Sequence, residues 1–143
     1  MSDNPIIQKL ALLPEGLIEK NIESWKVVLN RYQGFAEKQY QEWILPVFYI
    51  VQKLAVSEYA KLYRAGTSLY SLMISTVEKH GLKEEDPFIC VHIERNIKPR
   101  VYYRRGPSVI DGPECNSVDE FVDALLPLLD RLWDETRGQK KHG

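Results

Sequence analysis

Asp86-Pro87-Phe88-Ile89-Cys90-Val91-His92-Ile93-Glu94 is followed by a short polar run, Arg95 to Pro99, and then by Arg100-Val101-Tyr102-Tyr103-Arg104-Arg105. In the first run Ile89, Val91 and Ile93 alternate with Cys90, His92 and Glu94, the two-residue period of a strand buried on one face. Asn96 to Pro99 supplies turn chemistry. The second run then repeats the alternation, with Val101 and Tyr103 opposed to Arg100, Tyr102 and Arg104. The stretch predicts an antiparallel hairpin over 87–105. A third short strand over 108–110 is a further candidate, bracketed by Gly106-Pro107 and Asp111-Gly112-Pro113.

Two or three strands are not stable alone in water, so the rest of the chain must cover one face. Four helical segments are expected. Over 15–32, Ile18, Ile22, Trp25, Leu29 and Tyr32 recur at spacings of three and four, with Pro14 before them and Gly34 as a left-handed stop. From Phe35 to Tyr63 a helical register continues but meets Pro46, where a helix must kink or restart. Trp43 to Val51 is apolar on every side, which predicts a central, covered element; a buried strand over 47–51 competes with the helix there. A helix over 67–80 is expected from Leu69, Leu72, Met73, Thr76 and Val77, ending at His80 and Gly81. Ser117-Val118-Asp119-Glu120 is a capping-box pattern, and Phe121, Leu125, Leu128, Leu129, Leu132 and Trp133 make the apolar stripe of a last helix with a bend at Pro127.

The expected fold is therefore α+β and predominantly helical, with three to five helices packed on one face of a small antiparallel sheet. It forms one domain over 1–137, followed by a flexible basic tail over 138–143 that includes His142. A chain of 143 residues buries enough surface to fold without staples. The longest nearly uncharged run, Trp43 to Gln52, is half of the roughly 20 residues that cross a bilayer, so no membrane partner is expected. Met1-Ser2-Asp3-Asn4-Pro5 lacks the basic start of a secretory signal. Cys90 and Cys115 are expected as free thiols in a reducing, cytoplasmic setting.

Charge is organised in blocks. Arg95, Lys98, Arg100, Arg104 and Arg105 place five cations and no acid within eleven residues, whereas Asp111 to Glu135 holds eight acids against one base. Opposed blocks neutralise each other within a fold or across a homodimer. Net charge is −1, which speaks against binding nucleic acid by bulk electrostatics.

Cys90, His92 and Glu94 share one strand face, where a metal or a Cys–His pair is conceivable in outline. A zinc site needs a further ligand, and side chains two apart on one strand run parallel with no oxyanion turn beside them. The plain interpretation is a polar outer sheet face. No phosphate loop or hydrolase motif is present, and no catalytic residue, metal or cofactor is assigned. The sequence points to a non-enzymatic interaction domain of the regulatory, assembly or inhibitor type. It would bind an acidic protein surface or a second copy of itself through Arg95, Lys98, Arg100, Tyr102, Arg104 and Arg105 and through the acidic final helix. Two alternatives stand beside it: nucleic acid stacked on the Tyr-containing basic hairpin, and a small enzyme with His92 in a pocket.

Overall fold

A computed structural model describes residues 5–39, 42–78, 82–83, 85–94 and 97–137. In chain order these form α1 (Pro5–Ala11), α2 (Leu17–Gln39), a 3₁₀ turn (Glu42–Ile44), α3 (Leu45–Ala55), α4 (Tyr59–Leu62), β1 (Arg64–Ser68), β2 (Ser71–Ser75), β3 (Phe88–Glu94), β4 (Ile97–Arg105), β5 (Ser108–Asp111) and α5 (Val118–Thr136). The strands make one antiparallel meander in the order β1-β2-β3-β4-β5. The fold is α+β. The hairpin over 87–105 forms, and the third strand over 108–110 is β5.

Leu72, Ile74, Ile89, Val91, Val101 and Tyr103 line one face of the sheet, and all are buried. Against them lie Val47, Ile50 and Leu54 of α3 and Leu125, Leu129 and Leu132 of α5, in a single apolar cluster. Each such Leu, Ile or Val contributes about 1.5–3 kcal/mol on burial. Hydrogen bonds fix the layers in register. The Tyr63 hydroxyl donates to Leu129 O at 2.6 Å, and the Tyr103 hydroxyl donates to Glu135 Oε1 at 2.5 Å.

α2 packs along the outer edge of β1 and bonds to that strand and to the residues just before it. Asn21 Nδ2 donates to Lys61 O at 2.8 Å, Trp25 Nε1 to Tyr63 O at 2.9 Å and Arg31 Nη1 to Thr67 Oγ1 at 2.8 Å, while Ser24 Oγ accepts from Ala65 N at 2.9 Å. Two of these bonds reach β1 itself, at the Ala65 amide and the Thr67 hydroxyl, and two hold the residues that lead into it, Lys61 of α4 and Tyr63. This edge is closed to further pairing.

Three expectations are corrected. Where a helix over 67–80 is expected, residues 67–75 instead belong to the β1–β2 hairpin, with Ser68 opposite Ser71 and Leu69 in the left-handed region at φ 54. Leu72 and Ile74 point to the core while Met73 points away, so period two prevails over a helical pattern that the same residues also satisfy. His80 and Gly81 lie outside the described residues. The first helix does not stop at Gly34 but runs to Gln39, because the Phe35 ring packs edge-on against Tyr32 and Tyr70 and holds the next turn. α3 is not covered on every side, since Tyr49 and Gln52 face outward. Pro127 lies inside α5, as expected of the last helix.

The 3₁₀ turn and Pro46, at the second residue of α3, make the restart expected at that proline, where the first amides have no helical partner to lose. Residues 47–51 are helical. Ser117 caps α5 by accepting from Glu120 N at 3.1 Å, and Glu120 Oε2 accepts from Asn116 N at 2.7 Å, one residue before the cap.

Candidate functional site

The second face of the sheet carries the polar half of the alternation. One cross-strand row is Gly66, Met73, Cys90, Tyr102 and Asp111; its neighbour contains Ser71, His92 and Arg100. Cys90 belongs to this face yet is only 3% exposed, covered by its neighbours in the row. Burial raises its thiol pKa, partly offset by hydrogen bonds with Tyr102 and Ser71. The Tyr102 phenol is pushed up to about 12, first by desolvation and then by the bond with Cys90. Cys90 is a neutral thiol at ordinary pH, the opposite of the exposed thiolate that nucleophilic chemistry uses. Cys115 is likewise free and buried.

His92 and Glu94 keep to the same face and bond to each other, His92 Nε2 to Glu94 Oε1 at 3.0 Å. On its other side His92 Nδ1 meets Ser71 Oγ at 3.2 Å. A serine, an imidazole and a carboxylate thus stand in series. Ser71, however, is buried, and its oxygen also accepts from Ile93 N at 3.2 Å, so the hydroxyl is tied to backbone and closed to a substrate. The series fastens β2 to β3. His92 does not line either of the two described grooves. Among the described residues no group of three or more His, Cys, Asp or Glu converges as a metal would require.

The cations of the hairpin meet acids and carbonyls of their own chain. Arg100 pairs with Asp111 at 3.0 Å and Arg105 with Glu135 at 3.4 Å; Lys98 donates to Asn116 Oδ1, and Arg104 Nε donates to Gly106 O at 3.0 Å. Arg95 lies outside the described residues. All four described cations remain exposed. Of the two tyrosines, Tyr102 is half-buried on the outer face with Arg100 and Arg104, and Tyr103 is buried on the inner face, with the Arg131 guanidinium 5.4 Å from its ring centre.

Several acids of α5 are engaged in the same way. Asp130 meets Lys9 at 3.2 Å, Asp119 meets Lys53, and Glu135 gathers Tyr103, Arg105 and Arg131. Desolvation raises the Glu135 carboxyl, but hydrogen bonds from Tyr103 and Arg131 and the charges of Arg131 and Arg105 outweigh it and hold the group below its ordinary value. Sequence reasoning foresaw opposed charge blocks; it did not foresee that Glu135 would be the point where they join. A spacing of four between Arg131 and Glu135 was the available signal.

Past β4 the sheet ends in an edge of a different kind. All four residues of β5 are exposed, including Val109 at 51% and Ile110 at 37%, and among the described residues none bonds to its outer side. Among the described residues the strand pairs only with β4, with Gly112 N donating to Val101 O at 2.8 Å just beyond it.

Comparison with known proteins gives no match: no protein-family model fits the chain, and no curated protein or solved structure is significantly similar to it.

Among the described residues no helix is long and apolar enough to cross a membrane.

Proposed function

We propose that this chain is a non-catalytic interaction domain that receives a protein partner at the β4–β5 edge. The observation that carries the proposal is the asymmetry of the two sheet edges. β1 is covered by α2, which packs along it and bonds the Ala65 amide and the Thr67 hydroxyl, whereas among the described residues β5 offers unpaired backbone, two exposed aliphatic side chains and neighbouring guanidinium groups. An open edge next to apolar side chains is the arrangement used for strand addition, where main-chain bonds give affinity and alternate side chains give selectivity. The exposed cations Lys98, Arg100, Arg104 and Arg105 favour an acidic partner surface or the acidic α5 of a second copy. Because Arg100 and Arg105 already face carboxylates, a partner displaces or shares those pairs, which tunes choice of partner more than strength of binding.

Two sets of variants test the proposal: Val109→Lys with Ile110→Lys, which places charge on the edge, and Arg100→Glu with Arg104→Glu. The tagged chain is recovered from its native cells with and without nuclease, and its mass is determined by light scattering. The expected result is a stoichiometric protein, or a dimer, that survives nuclease and moderate salt and is lost in both double variants. A partner retained by both would remove the edge as the interface. Nucleic acid recovered instead, and released steeply as salt rises, would replace this proposal with the nucleic-acid alternative.

A further inference from the structure

A groove of about 870 Å³ runs between the outward flank of α2 and the outer face of β1 and β2, within the range of roughly 300–1,000 Å³ typical of small-molecule sites. One wall carries Lys20, Val27 and Arg31 of α2, and the other carries Met73 and Val77. From Lys20 to Arg31 the helix advances about 16 Å at roughly 1.5 Å per residue. The groove is therefore elongated and apolar along its middle, with Arg31 at one end and mixed charge, Lys20 beside Glu23, at the other.

Two features keep it open. Gly66 forms part of its lining, in the outer-face row opposite Met73, and a Cβ built on Gly66 meets nothing within 4 Å. The missing side chain is groove space. Val27 is 55% exposed, an aliphatic residue facing solvent where a helix surface ordinarily carries a polar one.

Charge selects the occupant. Lys20, Arg31 and Arg64 stand among the lining residues against Glu23 and Glu78, and Glu78 is engaged by Arg137 at 3.3 Å. Arg31 spends one donor on Thr67, and a guanidinium has five in a fork that matches a carboxylate. Backbone pairing is not on offer here, because α2 already bonds the β1 edge, so an extended peptide gains nothing from the strand. We infer that the groove binds a single-chain amphiphilic anion, an alkyl carboxylate, with its head group at Arg31 and its chain over Gly66 between Val27 and Met73. β1 and β5 are opposite edges of the sheet, so this site stands or falls separately from the proposed interface.

Titration calorimetry of the full chain with decanoate, and with decyltrimethylammonium as a cation of similar chain, tests the inference. Expected is saturable binding of one decanoate per chain and no saturable binding of the cation. Gly66→Leu, which fills the floor, Val27→Asp, which puts like charge in the apolar middle, and Arg31→Ala should each weaken decanoate by about tenfold or more. No saturable decanoate binding, equal binding of the cation, or full affinity in both Gly66→Leu and Val27→Asp would overturn it. Should Gly66→Leu fail to fold by circular dichroism, Val27→Asp decides alone, since that position is exposed.

Discussion

Leu69 occupies a position that leucine disfavours: φ is 54 and the side chain is 86% exposed at the tip of the β1–β2 hairpin. A left-handed backbone costs an L-residue with a Cβ roughly 1–2 kcal/mol, and here no packing is gained in return. Glycine removes that strain but adds about 0.5–1 kcal/mol of unfolded-state entropy. Leu69→Gly should therefore stabilise the protein by about 0.5 kcal/mol, seen as a higher urea midpoint with an unchanged slope. A lower midpoint would mean that Leu69 makes contacts of its own. The same residue explains why the hairpin was hidden in the sequence. Turn signals are Gly, Asn, Asp, Pro and, more weakly, Ser; the central pair Leu69-Tyr70 has none, so only the flanking Ser68 and Ser71 mark the division of 64–75 into two strands. Cys90, by contrast, was assigned correctly to its face by alternation. Its burial was not legible, because it depends on Tyr102 and Ser71 arriving from neighbouring strands.

At the scale of elements, patterns that repeat were readable and those that rely on a neighbour were not. The 87–105 hairpin and the cap of α5 follow from spacing within one segment. The extension of α2 past Gly34 depends on Phe35 finding Tyr70, a contact across 35 positions that no local period encodes. The acidic face of α5 is visible as composition, but only the fold shows Asp130, Asp119 and Glu135 spent on α1, α3 and β4. Glu135 gives this a pH signature. Its folded pKa lies below the ordinary 4.5, so its stabilising effect is complete above that pH and is lost as pH falls through the folded value. Glu135→Gln should accordingly be less stable than the parent at about pH 7, with the gap narrowing by about pH 3, in paired urea titrations. A gap of equal size at both pH values would assign the loss to packing instead of charge.

For the whole molecule, the sequence indicated one sheet with helices on one side, and that arrangement forms. What it could not supply is the state of the two edges, because edge protection is a relation between α2 and β1, elements distant in the chain. Nor could it supply the groove beside α2, since Met73, Ser75 and Val77 of its far wall fall in a segment whose spacing predicts a helix. The asymmetry has a functional reading: a sheet closed at one end by its own helix grows only at the other. Amide hydrogen exchange tests this most directly, comparing the isolated chain with the chain bound to its recovered partner, or with the dimer. The account expects new protection at 108–111 and in β4, with the amides of 64–68 already protected in the isolated chain and unchanged on binding. Protection appearing at 64–68 or on the helical side, with 108–111 still exchanging freely, would contradict it.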